Sequence, residues 1–205
     1  MLLIRHASTD TGGRLCGWFD VPLSPEGRAQ VDAIRPRLAR RTAADVLLTS
    51  TLRRATHVAD ALGRVWELQP KPAEWAREIH CGAAEGMPLD QLQREFPDLW
   101  SRNEAQVDDT FAWPGGETYV EFRARILEGL ESAAATFPGC RVAVVTHAGV
   151  ISQVLGVVRG RPACAWAPDR PHPLSATEII WSNGAPGAIL TYNDSHWYRE
   201  ARPHD

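Results

Sequence analysis

Three short apolar runs, at residues 2–4, 45–48 and 141–145, are continuous rather than alternating. A strand that is apolar on both faces is covered on both faces, as in a parallel sheet between helical layers. The stretches between them have helical spacing. Ser24-Pro25-Glu26 opens a helix with an N-cap serine and a proline at the first helical position. Ala29, Val31, Ile34 and Leu38 form its apolar face, and Pro36 predicts a kink or interruption. Further helices are predicted over 52–62, 119–135 and 149–158. The tail changes character: 177–181 and 188–192 are strand-like, and residues 182–187 join them as a hairpin or near-hairpin.

Strands separated by helices imply an α/β protein, a three-layer α/β/α sandwich around a mostly parallel sheet. Residues 82–116 break the regularity. They are rich in proline and tryptophan, carry one short helix near 90–96, and are expected to form a short cap insertion within a single domain spanning 1–205. At 205 residues a second full domain is not expected.

Composition narrows the function classes. The chain is 44% hydrophobic and 23% charged, an ordinary globular balance. A net charge of -3 argues against a nucleic-acid surface. No apolar stretch reaches the roughly 20 residues of a membrane span, and the N-terminus reads as a strand rather than a signal peptide. Cys16, Cys81, Cys140 and Cys164 are far apart with no C-x-x-C spacing, so neither a zinc site nor a disulfide framework is expected. A reducing, cytoplasmic location is the expectation. Lys71 is the only lysine; arginine, suited to forked contacts with phosphate, supplies the rest of the positive charge.

The candidate chemistry lies at strand ends, where open α/β sheets bind ligands. The first strand ends at Arg5-His6. The second ends at Thr49-Ser50, ahead of a helix start with Arg53-Arg54. The third ends at Thr146-His147-Ala148-Gly149. Two histidines and at least two arginines at one rim suit a doubly charged oxyanion, and Gly149 is expected to let helix-start amides approach it. Taken singly, each histidine reads more simply as a solvated or packed residue, and Glu78 as a surface carboxylate.

Ile4-Arg5-His6-Ala7 resembles the R-H-G signature of the histidine phosphatase superfamily, phosphoglycerate-mutase-like branch. Further blocks resemble that family in order. They are Gly17-Trp18-Phe19-Asp20-Val21-Pro22-Leu23-Ser24 with Glu26-Gly27; Ser50-Thr51-Leu52-Arg53-Arg54-Ala55; and Glu78-Ile79-His80-Cys81-Gly82 with Glu85-Gly86. Pro114-Gly115-Gly116-Glu117-Thr118 with Arg125, and Val145-Thr146-His147-Ala148-Gly149, complete the series. The resemblance implies that His6 attacks phosphorus, that Arg5 and Arg54 clamp the phosphoryl group, and that His147 stabilises its charge. Glu78 would be the general acid and base. Thr9 and Ala148 are further phosphate-site candidates, and Cys16 and Gly17 line the substrate pocket. No metal or cofactor is implied. The expected partner is a small-molecule phosphomonoester, with no nucleic acid and no membrane; a homodimer stays open.

Ala7 departs from the family's glycine, and its methyl group is expected either to crowd the phosphate or to adjust the backbone. Ser8 stands where glutamate is common, and Gly12 at the spacing of a phosphate-contacting asparagine, with Thr9 as the candidate substitute. Residues 86–114 carry only Arg94 and Arg102 as cations, a thin cap that favours hydrolysis over mutase exchange. The length and the Phe111–Glu117 run look similar to α-ribazole phosphatases. Trp75, Trp100 and Trp113 are then candidates to stack on a base-like leaving group. The alternatives are a phosphoglycerate mutase, a broad sugar-phosphate phosphatase, or a non-catalytic binder of phosphorylated ligands.

Overall fold

The computed structural model describes residues 1–38, 44–182 and 184–196, with side chains of 35–38 outside the described set. In chain order the elements are β1 (Leu2–Arg5), α1 (Pro25–Leu38), β2 (Val46–Thr49), α2 (Arg53–Trp66), β3 (Lys71–Pro72) and α3 (Leu89–Glu95). They continue with α4 (Pro97–Ala105), α5 (Tyr119–Thr136), β4 (Val142–Thr146), α6 (Ala148–Val158), β5 (Ala176–Ser182) and β6 (Ala185–Asp194). The sheet order is β3-β2-β4-β1-β5-β6. The first four strands are parallel, and β5 and β6 add to them antiparallel.

Alternate residues of each apolar strand feed different cores. Leu2, Ile4, Leu47 and Val145 pack with Ile34 of α1 and with Val58 and Leu62 of α2. Leu3, Leu48 and Val144 face the other way, against Phe122, Ile126 and Leu130 of α5 and Ile151 and Leu155 of α6. This is the physical reason the runs are continuous: each position has a helical layer to meet. Removing such a side chain from water stabilises the fold by about 1.5–3 kcal/mol. A third core sits under the inserted segment, where Leu92, Phe111 and Trp113 pack with Ala163 and Cys164.

The structure departs from the sequence reading in four places. Helix α1 continues through Pro36 to Leu38. The proline stands in the last turn, so the single N–H···O=C bond it removes lies at the very end of the helix; the expected place of Leu38 on the apolar face lies outside the described side chains. Strand β3 is a two-residue exposed pairing with Leu48 and Thr49, too short for any periodic signal. Helix α4 follows α3 directly with Pro97 at its start and buries no residue, so no apolar face announced it. Strands β5 and β6 run longer than read, and register shifts between them blur the alternation. Among the described residues no helix is long and apolar enough to cross a membrane.

Candidate active site

The parallel ladder sets the site. Arg5 lies opposite Thr146 across the β1–β4 pair. The His6 N–H donates to the Thr146 carbonyl at 2.9 Å and the Ser50 N–H to the Val145 carbonyl at 2.9 Å. The ends of β1, β4 and β2 therefore lie side by side, and the rings of His6 and His147 meet edge to face with centroids 5.1 Å apart.

His6 Nδ1 lies 2.7 Å from the carbonyl oxygen of Ala7. A carbonyl only accepts, so Nδ1 carries the proton and Nε2 keeps a bare lone pair. Burial above all, then the charges of Arg54 and Arg5, push the imidazole pKa down to about 3. The ring is thus neutral and nucleophilic throughout the physiological range. Ala7 is fully buried and belongs to the core beneath α1, with Leu23 and Val31.

Arg54 is buried at the start of α2 and donates three ways: Nη2 to Gly17 O at 2.6 Å, Nη1 to Phe19 O at 3.2 Å, and Nε to His147 Nδ1 at 3.3 Å. Two of its five N–H groups remain for a ligand. Because arginine can only donate, His147 must accept at Nδ1 and donate from Nε2 to Ser50 Oγ, 2.7 Å away. Burial first, then Arg54 and His6, hold its pKa well below the usual imidazole value. Arg5 donates from Nη1 to Pro171 O at 2.5 Å, and its buried Nε has no partner among the described residues. Arg53 faces solvent, its N–H capped by Asp20 Oδ1 at 2.8 Å.

Glu78 lies on a loop fastened by Arg125. That guanidinium donates to the carbonyls of Trp75 at 2.6 Å and Glu78 at 3.1 Å while forking onto Glu117 at 2.6 and 2.8 Å. The Glu78 carboxylate accepts the Gly149 N–H at 3.0 Å and the Ile79 N–H at 3.2 Å. A Cβ on Gly149 would stand 2.1 Å from Glu78 Oε1. The glycine is there for the carboxylate of Glu78, and the start of α6 already holds that anion instead of lying open as expected. Glu85 performs a similar service, accepting the N–H groups of Trp18 (2.6 Å), Phe19 (2.6 Å) and Cys81 (2.8 Å). Gly17 is pressed against this framework: a Cβ there would stand 2.1 Å from Ile79 O.

The remaining candidates divide. Ala148, Cys16 and Gly17 line a cavity that opens beside Glu78 and Gly149. Thr9 pairs with Leu23 in an isolated bridge, and its described contacts do not join it to His6, Arg54 or His147. The cavity walls are Leu15, Phe111, Trp113, Tyr119 and Trp166, with Arg170 at the edge. Trp113 is therefore in the wall of this cavity. Trp75 is not; its ring packs on Gly129 of α5, where a Cβ would meet it at 2.1 Å. Trp100 packs into the third core and does not line the cavity. Sequence reasoning missed Trp166 and Arg170, which sit in a Pro- and Ala-rich stretch without periodicity, and gave Ser50 no role although it directly follows β2.

The arrangement is a neutral imidazole with one free nitrogen, flanked by two arginines and a carboxylate, in a buried cleft. Such a site can take a phosphoryl group onto nitrogen. The chain matches the histidine phosphatase superfamily (branch 1) over residues 1–195, and it belongs to that family. It is 30% identical over 176 residues to the glucosyl-3-phosphoglycerate phosphatase of Mycobacterium tuberculosis (strain ATCC 25618 / H37Rv), covering 81% of this chain and 78% of that one. The native structure of a mycobacterial glucosyl-3-phosphoglycerate phosphatase superposes with a TM-score of 0.81 at 26% identity, over 95% of this chain and 98% of the other. The α-ribazole phosphatase of Shigella flexneri shares the fold, with a TM-score of 0.81 at 22% identity, over 94% of this chain and 95% of that one. The chain is an enzyme of the histidine phosphatase type.

Proposed function

We propose that the chain hydrolyses small-molecule phosphomonoesters through a phosphohistidine on His6, without a metal. The observation that carries this is the Nδ1–H bond to Ala7 O, which leaves Nε2 of a neutral, buried ring bare beside Arg5 and Arg54. In the first step Nε2 bonds to phosphorus, the P–O ester bond breaks, and Glu78 in its acid form gives its proton to the departing alkoxide. In the second step Glu78, now a carboxylate, takes a proton from water. The water oxygen bonds to phosphorus and the P–N bond breaks, returning neutral His6. Arg5 and the two remaining N–H groups of Arg54 hold the phosphoryl oxygens. His147, fixed between Arg54 and Ser50, supports the clamp, and its ring is in edge-type contact with that of His6.

Hydrolysis rather than exchange is supported by the cap. Its two cations are engaged elsewhere, Arg94 with Asp90 at 2.8 Å and Arg102 with Asp108 at 2.6 Å, and neither lines the cavity. The aromatic walls suit an alcohol with a broad planar or apolar face, and α-ribazole 5′-phosphate is an ester of that kind. A second reading, an ester of a hydroxy acid such as the one in the mycobacterial relative's name, is favoured by Arg170 at the cavity edge. A cytoplasmic location belongs to the same proposal and is supported by the four unpaired cysteine thiols.

The test is phosphate release, with EDTA present, from α-ribazole 5′-phosphate, 3-phosphoglycerate, a sugar phosphate and p-nitrophenyl phosphate. His6→Ala serves as the control, and the wild type is quenched in mid-turnover for acid-labile phosphate on His6. Release that stops in the variant, with label on His6, is the expected result. Release that persists in His6→Ala, or that EDTA removes, overturns the reading.

A further inference from the structure

The leaving-group cavity has Arg170 as its one lining cation among the described residues. Its two carboxylates are both committed: Glu78 accepts from Gly149 and Ile79, and Glu117 forks with Arg125 and accepts the His80 N–H at 2.8 Å. Arg170, on the cavity edge, forms no ion pair among the described residues. Asp169, beside it in the chain, is buried and already bound by Arg159 and by Arg161, the latter at 2.5 Å.

The Arg170 guanidinium instead lies over the ring of Trp166, 5.3 Å from its centroid. A cation resting on an aromatic face keeps its N–H edges directed outward for an acceptor. The backbone next to it is pinned to the phosphoryl cradle by the Arg5 bond to Pro171 O. The two guanidinium charges stand close enough for Arg170 to oppose protonation of Arg5. Glu78 favours the charged form of Arg5, and an anion beside Arg170 would offset the repulsion between the two guanidinium groups.

We propose that Arg170 is a specificity-determining residue that binds a second anionic group, a carboxylate, on the alcohol side of the substrate. This rests on the phosphomonoesterase reading and deepens it: of the two leaving groups considered, it selects the ester of a hydroxy acid. The carboxylate accepts from the outer edge of Arg170 while the carbon skeleton lies against Trp166 and Trp113, and the phosphoryl group reaches His6.

The experiment uses a matched pair of esters, 3-phosphoglycerate and glycerol 3-phosphate, which differ in having a carboxylate or a hydroxymethyl group at one end. In the wild type the kcat/KM ratio should favour 3-phosphoglycerate. In Arg170→Ala that ratio should fall by about tenfold to a hundredfold, the range for a charge-assisted hydrogen bond, and the change should lie in KM. Arg170→Lys should restore part of it by keeping the charge. Calorimetric binding of the same two esters to His6→Ala, with and without Arg170→Ala, reads the same discrimination without turnover. If discrimination is present in binding while no ester is hydrolysed, the phosphomonoesterase reading fails and Arg170 stands. A fall of equal size on both esters, or none on either, overturns the Arg170 assignment.

Discussion

At the sheet rim His6, Arg54 and His147 are buried and fixed by main-chain carbonyls and by each other. The neighbouring cavity is walled by side chains from the cap and from the stretch before β5, fastened by contacts such as Tyr119 OH to Asn103 Oδ1 at 2.7 Å and Cys164 N–H to Asp109 Oδ1 at 2.7 Å. The first region cannot change one residue without stranding buried partners. The second can change a wall and keep its frame. Chemistry common to all esters belongs to the rigid part, and choice among esters to the adaptable part.

Breaking the rigid part should cost most. His6→Ala should lower phosphate release by about 10³-fold or more on every ester, because it removes the atom that bonds to phosphorus. Next comes Glu78→Gln, which should cost about 10²–10⁴-fold on an alkyl phosphate and much less on p-nitrophenyl phosphate, whose leaving group needs no proton. Equal losses on the two esters would show that Glu78 is not the proton donor.

The rigid part also has a pH signature in stability. Its imidazole is held neutral down to about pH 3, whereas in the unfolded chain it takes a proton near pH 6.5. Between those values the unfolded state binds more protons, so stability is full above pH 6.5 and is lost as pH falls towards 3. From pH 6.5 to 5 the loss attributable to His6 should be about 2 kcal/mol, and His6→Ala should flatten denaturant midpoints over that window. A variant with the same slope as the wild type would remove His6 as the cause. The adaptable part should respond more mildly. Trp166→Ala should raise KM for aromatic esters by about tenfold with a smaller change in kcat, and a change confined to kcat would move Trp166 out of the leaving-group wall.

What could be read from residue order follows the same division. The apolar runs that become β1, β2 and β4 are legible because both faces are buried, and their polar ends mark the rim without any knowledge of pairing. The glycine at 149 was legible as a close approach, but the approaching group was not, since Glu78 arrives from a loop far away in sequence. Trp75 and Trp166 exchange places between expectation and structure for a related reason. Composition says that tryptophans will cover something, whereas only the packing of Gly129 on α5 takes Trp75 out of reach of the cavity. Helix α4 and the two-residue β3 carried no periodic signal to read.

The register of β1 on β4 has one more consequence. His6 and His147 are brought together by a single rung of the ladder, the His6 N–H on Thr146 O, and not by the long connection between them. The distance between the two rings is therefore indifferent to what that connection does. Lengthening the exposed turn at Gly139, where nothing stands within 4 Å of an added Cβ, would leave the pair as it is. Sliding β1 by one residue against β4 would part them, because the next side chain along a strand points to the opposite face.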